Sequence, residues 1–559
     1  MPPLMHKPII ALAAALLASS ALADTMIMNV NGIQAGADGT LQHFTGLLIS
    51  DDGKVIRTLG PLDDVGGKGK VVDGGGRTLL PGLIDAHGHV TDLGNSVMTV
   101  QLTGTTSLAD LQQRLREYAA EHRDTAWIIG FGWNQELWPD KRFPTAADLD
   151  AIVPDKPVVL ERVDGHALVG NTAAMKAAGV TAATADPTGG RIERAANGNP
   201  TGLFVDAATA IVRKAIPEPT AAQTDEALAK AQEQLLSVGV TAVGSMSTSV
   251  ADWQAFRRAG EAGRLKVRLI TYMLGTESMA AVPHPTPWLY GDHLRAVGIK
   301  FFADGALGSR GAWLKQPYAD KPDTRGLQFH SDAELLSLTY RAAAAGFQIA
   351  THAIGDAANA QVIGVYEQLS RKYGRDRRWR IEHFQIVDPA DIPRLAPAGI
   401  IASMQPTHQT SDRLMAEKRL GPNRLKGAYA WQSVLKSGAK LAFGTDFPVE
   451  SPNPFPGLSA AISRQDIHGQ PPGGWISSER LSLGQALHAY TRGAAYAGFA
   501  EEKIGALEPG EYADFILVDR DPTKVDAQQL AGTQVVQTWV SGRKVWERPA
   551  AATGPERGR

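Results

Sequence analysis

The chain has 559 residues, enough for a large catalytic barrel with smaller appended units. Its 43% hydrophobic and 20% charged residues exclude the apolar-poor composition of a disordered protein. A formal net charge of −2 makes nucleic acid an unexpected partner, and the absence of cysteine excludes disulfides, thiolate metal sites and a cysteine nucleophile.

The N-terminus has the order of a secretory signal peptide. Lys7 precedes an apolar run at 9–18, and the small-residue sequence SSALA follows at 19–23. We therefore predict cleavage after Ala23 and export, to the periplasm in a Gram-negative source. A membrane anchor is the alternative, but this apolar stretch is shorter than the roughly 20 residues that a span needs.

Residues 24–78 predict the first part of a small β-sandwich. Apolar runs separated by Gly and Asp turns, without helical periodicity, are typical of short strands. These runs are 26–28, 46–49 and 70–72. Short strands return near the C-terminus, so we predict that residues 501–547 form the second part of the same unit. Residues 548–559 are rich in Pro, Ala, Gly and Arg and predict a flexible tail.

Residues 79–500 alternate apolar strands with amphipathic helices, which predicts an α/β fold, a (β/α)8 TIM-like barrel. One unit is readable in full, since a capping box at 331–334 opens a helix, Gly346 ends it and a buried strand follows. Similar strands occur at 240–243, 380–383, 400–404 and 440–446. Residues 121–218 break the alternation, so we predict that they form an insertion over the barrel mouth.

Several metal-binding residue types stand at the ends of predicted strands. Residues 81–89 read PGLIDAHGH, and His87 and His89, two positions apart on a strand, project to the same face. Four further residues end predicted strands: Lys300, His352, His383 and Asp446. Parallel barrels build their active sites at the carboxyl ends of their strands. The pattern therefore predicts a metal-dependent active site at the barrel mouth.

These motifs resemble the amidohydrolase superfamily and, within it, the amidohydrolase-3 group of YtcJ-like proteins. The superfamily resemblance rests on residues 81–89, on Gly444-Thr445-Asp446 and on the closing segment 504–514. The narrower resemblance rests on KFFADGALGSRGA at 300–312 and on Asp164-Gly165-His166 followed by Asn171. It covers essentially the whole mature chain and implies a metal-dependent hydrolase.

The resemblance implies two divalent ions, expected to be zinc, with manganese or iron as alternatives. The implied ligands are His87, His89, Lys300, His352, His383 and Asp446. Lys300 would bridge the two ions as a carboxylated lysine. Asp446 would also be the catalytic general base, with His383 beside it in the catalytic centre. A single-ion site, in which Lys300 only forms an ion pair, remains open.

Six further residues are positioned to contact a substrate: Trp133, His166, Asp304, Arg310, Gln405 and His408. The resemblance suggests His166, for which a packed loop histidine is the alternative. Asp304 and Arg310 share a predicted βα loop, from which they would orient Lys300 or bind substrate, and a plain salt bridge is the alternative. Trp133 is either an aromatic wall of the pocket or core of the insertion. Gln405 and His408 follow the predicted strand at 400–404 and are expected to line the pocket.

The leading hypothesis is a hydrolase of a non-peptide C–N bond, with an amide or N-substituted formamide of a small molecule as the implied substrate. A single-metal deaminase of a heterocycle is the nearest alternative, although the segment after His352 lacks the expected His-x-x-Glu acid. Peptidase or imidic-ring hydrolase activity also remains open, as does a non-catalytic exported binding protein. We expect a small-molecule substrate as the partner of this protein. We expect no stable membrane anchor on the protein, and a homodimer remains open.

Overall fold

The computed structural model describes residues 25–63, 69–162, 167–187 and 190–549. The predicted signal peptide, residues 1–23, lies outside the described residues, as do His166 and residues 550–559 of the predicted tail. Among the helices described, none is both long enough and apolar enough to span a bilayer.

Strands and helices alternate through most of the described chain. The strands are β1 (Thr25–Met28), β2 (Asn31–Ala35), β3 (Leu41–Phe44), β4 (Gly46–Ile49), β5 (Val55–Leu59), β6 (Lys70–Asp73), β7 (Thr78–Pro81), β8 (Leu83–Gly88), β9 (Val100–Gln101), β10 (Ile128–Trp133), β11 (Val158–Arg162), β12 (Ala167–Gly170), β13 (Gly190–Arg194), β14 (Pro200–Asp206), β15 (Val240–Thr248), β16 (Arg268–Leu274), β17 (Leu294–Phe302), β18 (Gln348–Ala353), β19 (Arg380–His383), β20 (Ile401–Met404), β21 (Lys440–Phe443), β22 (Phe515–Val518), β23 (Val535–Val540) and β24 (Arg543–Glu547). The helices are α1 (Val90–Val97), α2 (Leu108–Glu121), α3 (Ala146–Asp150), α4 (Thr172–Ala177), α5 (Thr209–Arg213), α6 (Ala221–Ser237), α7 (Val250–Glu261), α8 (Asp332–Ala344), α9 (Asp356–Tyr373), α10 (Leu395–Ala398), α11 (Pro406–Leu420), α12 (Trp431–Lys436), α13 (Pro454–Ser463), α14 (Leu483–Ala489), α15 (Arg492–Ala497) and α16 (Ala527–Ala531).

Eight parallel strands form the central sheet. Their order is β8, β15, β16, β17, β18, β19, β20 and β21. The two ends of this sheet meet, because the Asp446 amide donates to the His87 carbonyl at 2.8 Å and the His89 amide donates to the Phe447 carbonyl at 2.9 Å. The sheet is therefore a nearly closed (β/α)8 barrel, which confirms the predicted fold class.

The barrel strands are buried on both faces, which explains why they lack the apolar–polar alternation of strands with one exposed face. The helices between them bury one stripe each against the sheet. In α6, Leu228 and Leu235 join the main hydrophobic core. The capping box predicted at Ser331 and Glu334 opens α8, so this helix begins as the sequence indicated.

Both chain ends contribute to one six-stranded sheet, of order β24-β23-β22-β7-β2-β3. Strand β22 pairs antiparallel with β7, with Phe515 opposite Pro81. A four-stranded sheet, β5-β4-β1-β6, shares an apolar cluster with it. Buried members of that cluster include Ile27, Leu47, Val55, Leu79, Phe515, Leu517 and Trp539. The first and last strands are thus held together beside the barrel, while the domain boundaries drawn from the sequence stay predictions.

A third sheet lies in sequence between barrel strands β8 and β15. Its order is β13-β14-β12-β11-β10-β9, and it has an apolar core of its own. The sheet begins at Val100, ahead of residue 121, where the sequence analysis started the insertion. Strand β9 has only two residues and α2 carries an ordinary buried stripe, so this region has the pattern of a barrel βα unit.

Candidate metal centre and active site

A cavity of about 340 Å³ opens at the carboxyl ends of the barrel strands. One end of it is lined by five of the predicted ligands: His89, Lys300, His352, His383 and Asp446. Apolar side chains line much of the rest, namely Phe302, Leu307, Ile354, Met415 and Val449. The sixth predicted ligand, His87, is fully buried beneath this end of the cavity.

Three predicted ligands converge closely enough to share one metal ion. Donor atoms of His87, His383 and Asp446 all lie within 4.8 Å of one another. They come from β8, β19 and the segment after β21, which the nearly closed barrel brings together. His383 and Asp446 both have positive φ, 74° and 63°. Such backbone costs about 1–3 kcal/mol per residue and is typical of functional sites.

Glu382 fixes the orientation of His87. Its Oε2 lies 2.6 Å from His87 Nδ1, and both side chains are fully buried. Burial alone would raise the pKa of Glu382, but the neighbouring Arg380 guanidinium holds this pKa well below its usual range. Arg380 binds both carboxylate oxygens, at 2.8 and 3.0 Å. The ionised carboxylate accepts the Nδ1–H, so Nε2 of His87 faces the centre with a free lone pair.

The electrostatics of the centre favour neutral imidazoles beside an ionised carboxylate. Burial lowers the pKa of His87 to about 4 and that of His352 to about 3. For Asp446, burial would raise the pKa, but the surrounding histidines outweigh it and hold the pKa well below its usual value. Burial also lowers the pKa of Lys300 to about 8. Neutral imidazole and carboxylate are the forms that bind divalent metal.

The residues present fit a divalent metal ion. In the described part of the chain, His352 Nε2 and Asp446 Oδ1 are buried without a hydrogen bond. Asp446 Oδ1 lies 3.2 Å from His89 Nε2 and 3.4 Å from His87 Nε2. A buried polar atom without a hydrogen bond is costly, and Asp446 Oδ1 lies against these two imidazole nitrogens, whereas His352 Nε2 lies 3.5 Å from Asp304 Oδ1. Nitrogen and carboxylate donors of this kind are the ligands that zinc takes in proteins.

Lys300 reaches the centre from β17. Its Nζ lies 3.4 Å from His87 Nε2, and its side chain is almost fully buried. None of the salt bridges among the described residues includes Lys300, although the nearby carboxylates of Glu382 and Asp446 favour its charged form. The position is compatible with the bridging role that the resemblance implies.

Gln405 and His408 lie at the centre in different ways. Gln405 does not line the cavity. Its Oε1 accepts a hydrogen bond from His383 Nδ1 at 3.0 Å. Gln405 therefore orients the imidazole of His383, a candidate metal ligand, and does not contact a substrate. His408 does line the cavity, with Nε2 at 3.6 Å from Asp446 Oδ2. Its Nδ1 accepts from Gln385 Nε2 at 3.0 Å, which directs the other nitrogen toward the site.

The structure places Asp304 and Arg310 outside the lining of the cavity. The Asp304 carboxylate is fully buried and accepts the backbone amides of Trp313, Ile354 and Gly355, at 2.8–3.0 Å. It joins two barrel loops beside His352. Arg310 instead pairs with Asp320 at 2.9 Å on the surface. Neither residue lines the cavity.

Trp133 lies where the second of its two predicted alternatives placed it, in the core of the inserted sheet. Its indole is fully buried in the core of the third sheet and donates to the Leu160 carbonyl at 2.9 Å. A ring enclosed in this way has no surface for a substrate, so it is the core of the inserted sheet. His166, the remaining substrate candidate, lies outside the described residues.

Two buried acids of the centre were missed by the sequence analysis. Glu382 lies in the strand sequence RIEH, and Asp85 lies in LIDAHG. Asp85 accepts hydrogen bonds from the Thr445 amide at 3.1 Å and the Thr445 hydroxyl at 2.7 Å, which joins β8 to the segment after β21. A charged residue within an otherwise apolar barrel strand was the available signal, because burying a charge requires a partner.

Comparison with known proteins identifies relatives over nearly the whole chain. Residues 70–546 match the model of the amidohydrolase family. A putative amidohydrolase, YtcJ of Bacillus subtilis (strain 168), is 34% identical over 478 residues, covering 85% of this chain and 90% of the relative. An N-substituted formamide deformylase of Arthrobacter pascens is 28% identical, covering 94% of this chain and 98% of the relative.

A solved structure has a similar fold over most of this chain. An uncharacterized metal-dependent hydrolase from Pyrococcus horikoshii OT3 has a TM-score of 0.76 and 30% sequence identity, covering 90% of this chain and 99% of that chain. The family match, the sequence relatives and the shared fold all agree with the resemblance found in the motifs. The chain belongs to the amidohydrolase family.

Proposed function

We propose that this protein hydrolyses a non-peptide C–N bond of a small molecule, an amide or an N-substituted formamide. The observation that carries the proposal is the convergence of neutral imidazoles and an ionised Asp446 at one end of a cavity. Asp446 Oδ1, which can bind a metal ion, is buried there without a hydrogen bond. The full-length relative named as an N-substituted formamide deformylase supports this type of substrate.

Two divalent ions, most simply zinc, are the proposed cofactors. The residues that would hold them are His87, His89, Lys300, His352, His383 and Asp446. When bound, such ions lower the pKa of water toward ~7 and polarise a carbonyl oxygen. Because the pKa of Lys300 is lowered to about 8, part of its amine is unprotonated near neutral pH. That is the form from which a carboxylated lysine is made.

Asp446 is the proposed proton carrier of the reaction. Its low pKa leaves the carboxylate free to accept a proton from the attacking water as a C–O bond forms. The same carboxyl group then gives the proton to the leaving nitrogen as the C–N bond breaks, so the amine departs neutral. Glu382 keeps the His87 ring in one orientation throughout, and the apolar walls limit access of bulk water.

Metal content and turnover, measured together, test the proposal. Purified protein should contain near two divalent ions per chain, and Lys300→Ala should lose at least one. The parent should release formate from N-alkylformamides, and a chelator should abolish this activity until zinc is restored. One ion in both proteins would favour a single-metal deaminase, and no uptake of added zinc would contradict the hydrolase.

We also propose that the mature chain is exported and begins after Ala23. The support is the order of Lys7, the apolar run at 9–18 and the small residues at 19–23. N-terminal sequencing of the protein recovered from the periplasmic fraction tests this. Recovery of the uncleaved chain in the membrane fraction would favour the anchor instead.

A further inference from the structure

One wall of the active-site cavity carries carboxylates that the proposed hydrolysis does not use. Ser411, Asp412 and Met415 lie on one side of α11, and Val449 and Glu450 face them from the segment after β21. The Ser411 hydroxyl donates to Glu450 Oε1 at 2.6 Å, and the Tyr429 hydroxyl donates to Asp412 Oδ2 at 2.6 Å. We call Asp412 and Glu450 the acidic wall.

The acidic wall has no cation of its own. Neither carboxylate belongs to a salt bridge among the described residues, although Arg and Lys side chains elsewhere pair widely. Of the described residues lining the cavity, Lys300 is the one Lys or Arg, and it lies at the ligand end against His87. Both carboxylates are half-buried and line the same cavity as apolar Leu307, Met415 and Val449. Burial raises the pKa of Asp412, so a cation beside this carboxylate would offset the cost of its charge.

A second observation points to a ligand between the acidic wall and the metal centre. His408 is only 7% exposed, lines the cavity, and its Nε2 has no hydrogen-bond partner in the described part of the chain. It stands four residues before Asp412 on α11, so the two side chains share a helix face. With Nε2 at 3.6 Å from Asp446 Oδ2, His408 connects the metal centre to the acidic wall.

We propose that the acidic wall is a binding subsite for a cationic group, so that the substrate is an amide or formamide bearing an ammonium several bonds from the scissile carbon. This inference rests on the proposed function. The scissile group would lie against Asp446 and His408, and the cation against Asp412 and Glu450. His408 and Asp412 are four residues, about one helical turn, apart on α11. Carboxylate oxygens accept hydrogen bonds and cannot donate them, so they suit an ammonium and repel an anion.

A matched pair of metal-binding probes tests the subsite without turnover. 6-Aminohexanohydroxamic acid and heptanohydroxamic acid have the same chain length and differ in ending with an ammonium or a methyl group. Calorimetry with the zinc-loaded protein should give about tenfold tighter binding for the ammonium probe at low salt. Raising the ionic strength should reduce this ratio. The monohydroxamate of adipic acid, which ends in a carboxylate, should bind more weakly than either.

Variants connect the preference to the two named residues. In Asp412→Asn and Glu450→Gln the hydrogen bonds from Tyr429 and Ser411 can persist, and the ratio between the first two probes should fall toward one. Glu450→Lys should reverse the preference, in favour of the carboxylate probe. Glu502→Gln makes the same charge change at an exposed position outside the cavity and should leave the ratio unchanged. Unaltered thermal midpoints would show that the variants fold.

The outcomes separate the subsite from the proposed function. Equal binding of the ammonium and methyl probes by the parent would overturn the subsite while leaving a metal-dependent hydrolase intact. A preference that persists in both Asp412→Asn and Glu450→Gln would likewise overturn the assignment to these residues. Failure of both probes to bind the zinc-loaded protein would overturn the subsite and the proposed function together.

Discussion

Glu382 determines which nitrogen of His87 is available to a metal ion. The carboxylate accepts Nδ1–H at 2.6 Å, while Arg380 binds both of its oxygens and also donates to the Ala86 carbonyl, in the same strand as His87. All three side chains are buried, so their charges interact in a medium of low dielectric constant. The arrangement makes His87 a rigid Nε2 ligand whose basicity the carboxylate increases.

The substitution Glu382→Gln should weaken metal binding. A glutamine amide can offer Nδ1 of His87 either an acceptor or a donor, so the Nε2 lone pair is no longer enforced, and Arg380 loses its counter-ion. We expect zinc affinity to fall about 10–100-fold, measured by competition with a chromophoric chelator. Glu367→Gln is the control, because Glu367 also binds an arginine through two oxygens but lies outside the centre. An unchanged affinity in Glu382→Gln would contradict this role.

The sequence identified the candidate metal ligands better than the residues that orient them. His87 and His89 were found because their spacing and strand-end position are visible in a linear motif. Glu382 precedes a predicted ligand, but its contact with His87 spans 295 residues, and only the closed barrel brings the two together. Gln405 was found at the right strand end, yet sequence could not show that it faces His383 rather than a substrate.

At the scale of elements, Gly444 allows the first and last barrel strands to meet. A Cβ added there would lie 2.5 Å from Asp85 Oδ1 and 2.5 Å from the His87 backbone nitrogen. The same region carries the closing hydrogen bonds, including that from the Asp446 amide to the His87 carbonyl. No side chain fits in that space without separating the strands, and both strands lead into candidate metal ligands.

Gly444→Ala should therefore lower both stability and metal content. We expect at least about 2 kcal/mol loss of unfolding free energy from the steric clash, with zinc content falling well below that of the parent. Gly364→Ala is the matched control, since a Cβ on this α9 residue meets nothing within 4 Å. Removing a helical glycine should raise stability by roughly 0.5–1 kcal/mol. Denaturant unfolding measures the free energy of unfolding of both variants. Equal changes in Gly444→Ala and Gly364→Ala would contradict the steric role of Gly444.

Elements were predicted where local signals are strong. The capping box at Ser331 and the glycine stop at Gly346 bound α8 almost to the residue. Helix α6 also begins with a capping box, formed by Thr220 and Gln223, which the sequence analysis did not identify. The two-residue strand β9 has no pattern of its own and is defined only by pairing with β10.

At the scale of the whole molecule, a buried ion pair joins the barrel to the sheet of the chain ends. Arg268 begins β16, and its guanidinium binds both oxygens of Asp514, at 2.7 and 3.0 Å. Asp514 also accepts the Ser541 amide at 2.8 Å, and its carbonyl accepts the Gly82 amide. The sequence could place both chain ends beside each other but could not name this contact, which links residues 246 positions apart.

Arg268→Leu should destabilise the whole protein strongly. The substitution leaves the Asp514 carboxylate buried without its partner, which typically costs about 3–5 kcal/mol. Arg257→Leu breaks an exposed pair with Glu261 and should cost at most about 1 kcal/mol. Thermal unfolding followed by both far-UV and near-UV circular dichroism measures the two effects. A loss in Arg268→Leu no larger than that in Arg257→Leu would show that the pair does not hold the units together.

Glu511 couples the stability of the same region to pH. It is 7% exposed, and its Oε2 accepts the Ala506 amide at 2.8 Å while its carbonyl accepts the Val55 amide from the N-terminal sheet. Burial raises the pKa of this carboxyl from 4.5 to about 7. The folded state therefore holds the proton more tightly than the unfolded state. The contribution of Glu511 to the free energy of unfolding is fully present below pH 4.5 and is lost as the pH rises through about 7.

The substitution Glu511→Gln should remove this pH dependence. The glutamine carbonyl can still accept the Ala506 amide, and no charge has to be buried at high pH. We expect the variant to be more stable than the parent by on the order of 2–3 kcal/mol at pH 8 and by much less at pH 5. Urea unfolding at the two pH values measures the difference. Glu502→Gln, an exposed position in the same segment, should follow the parent at both. A gain for Glu511→Gln that is equal at pH 5 and pH 8 would mean that burial of the ionised carboxylate is not its cause.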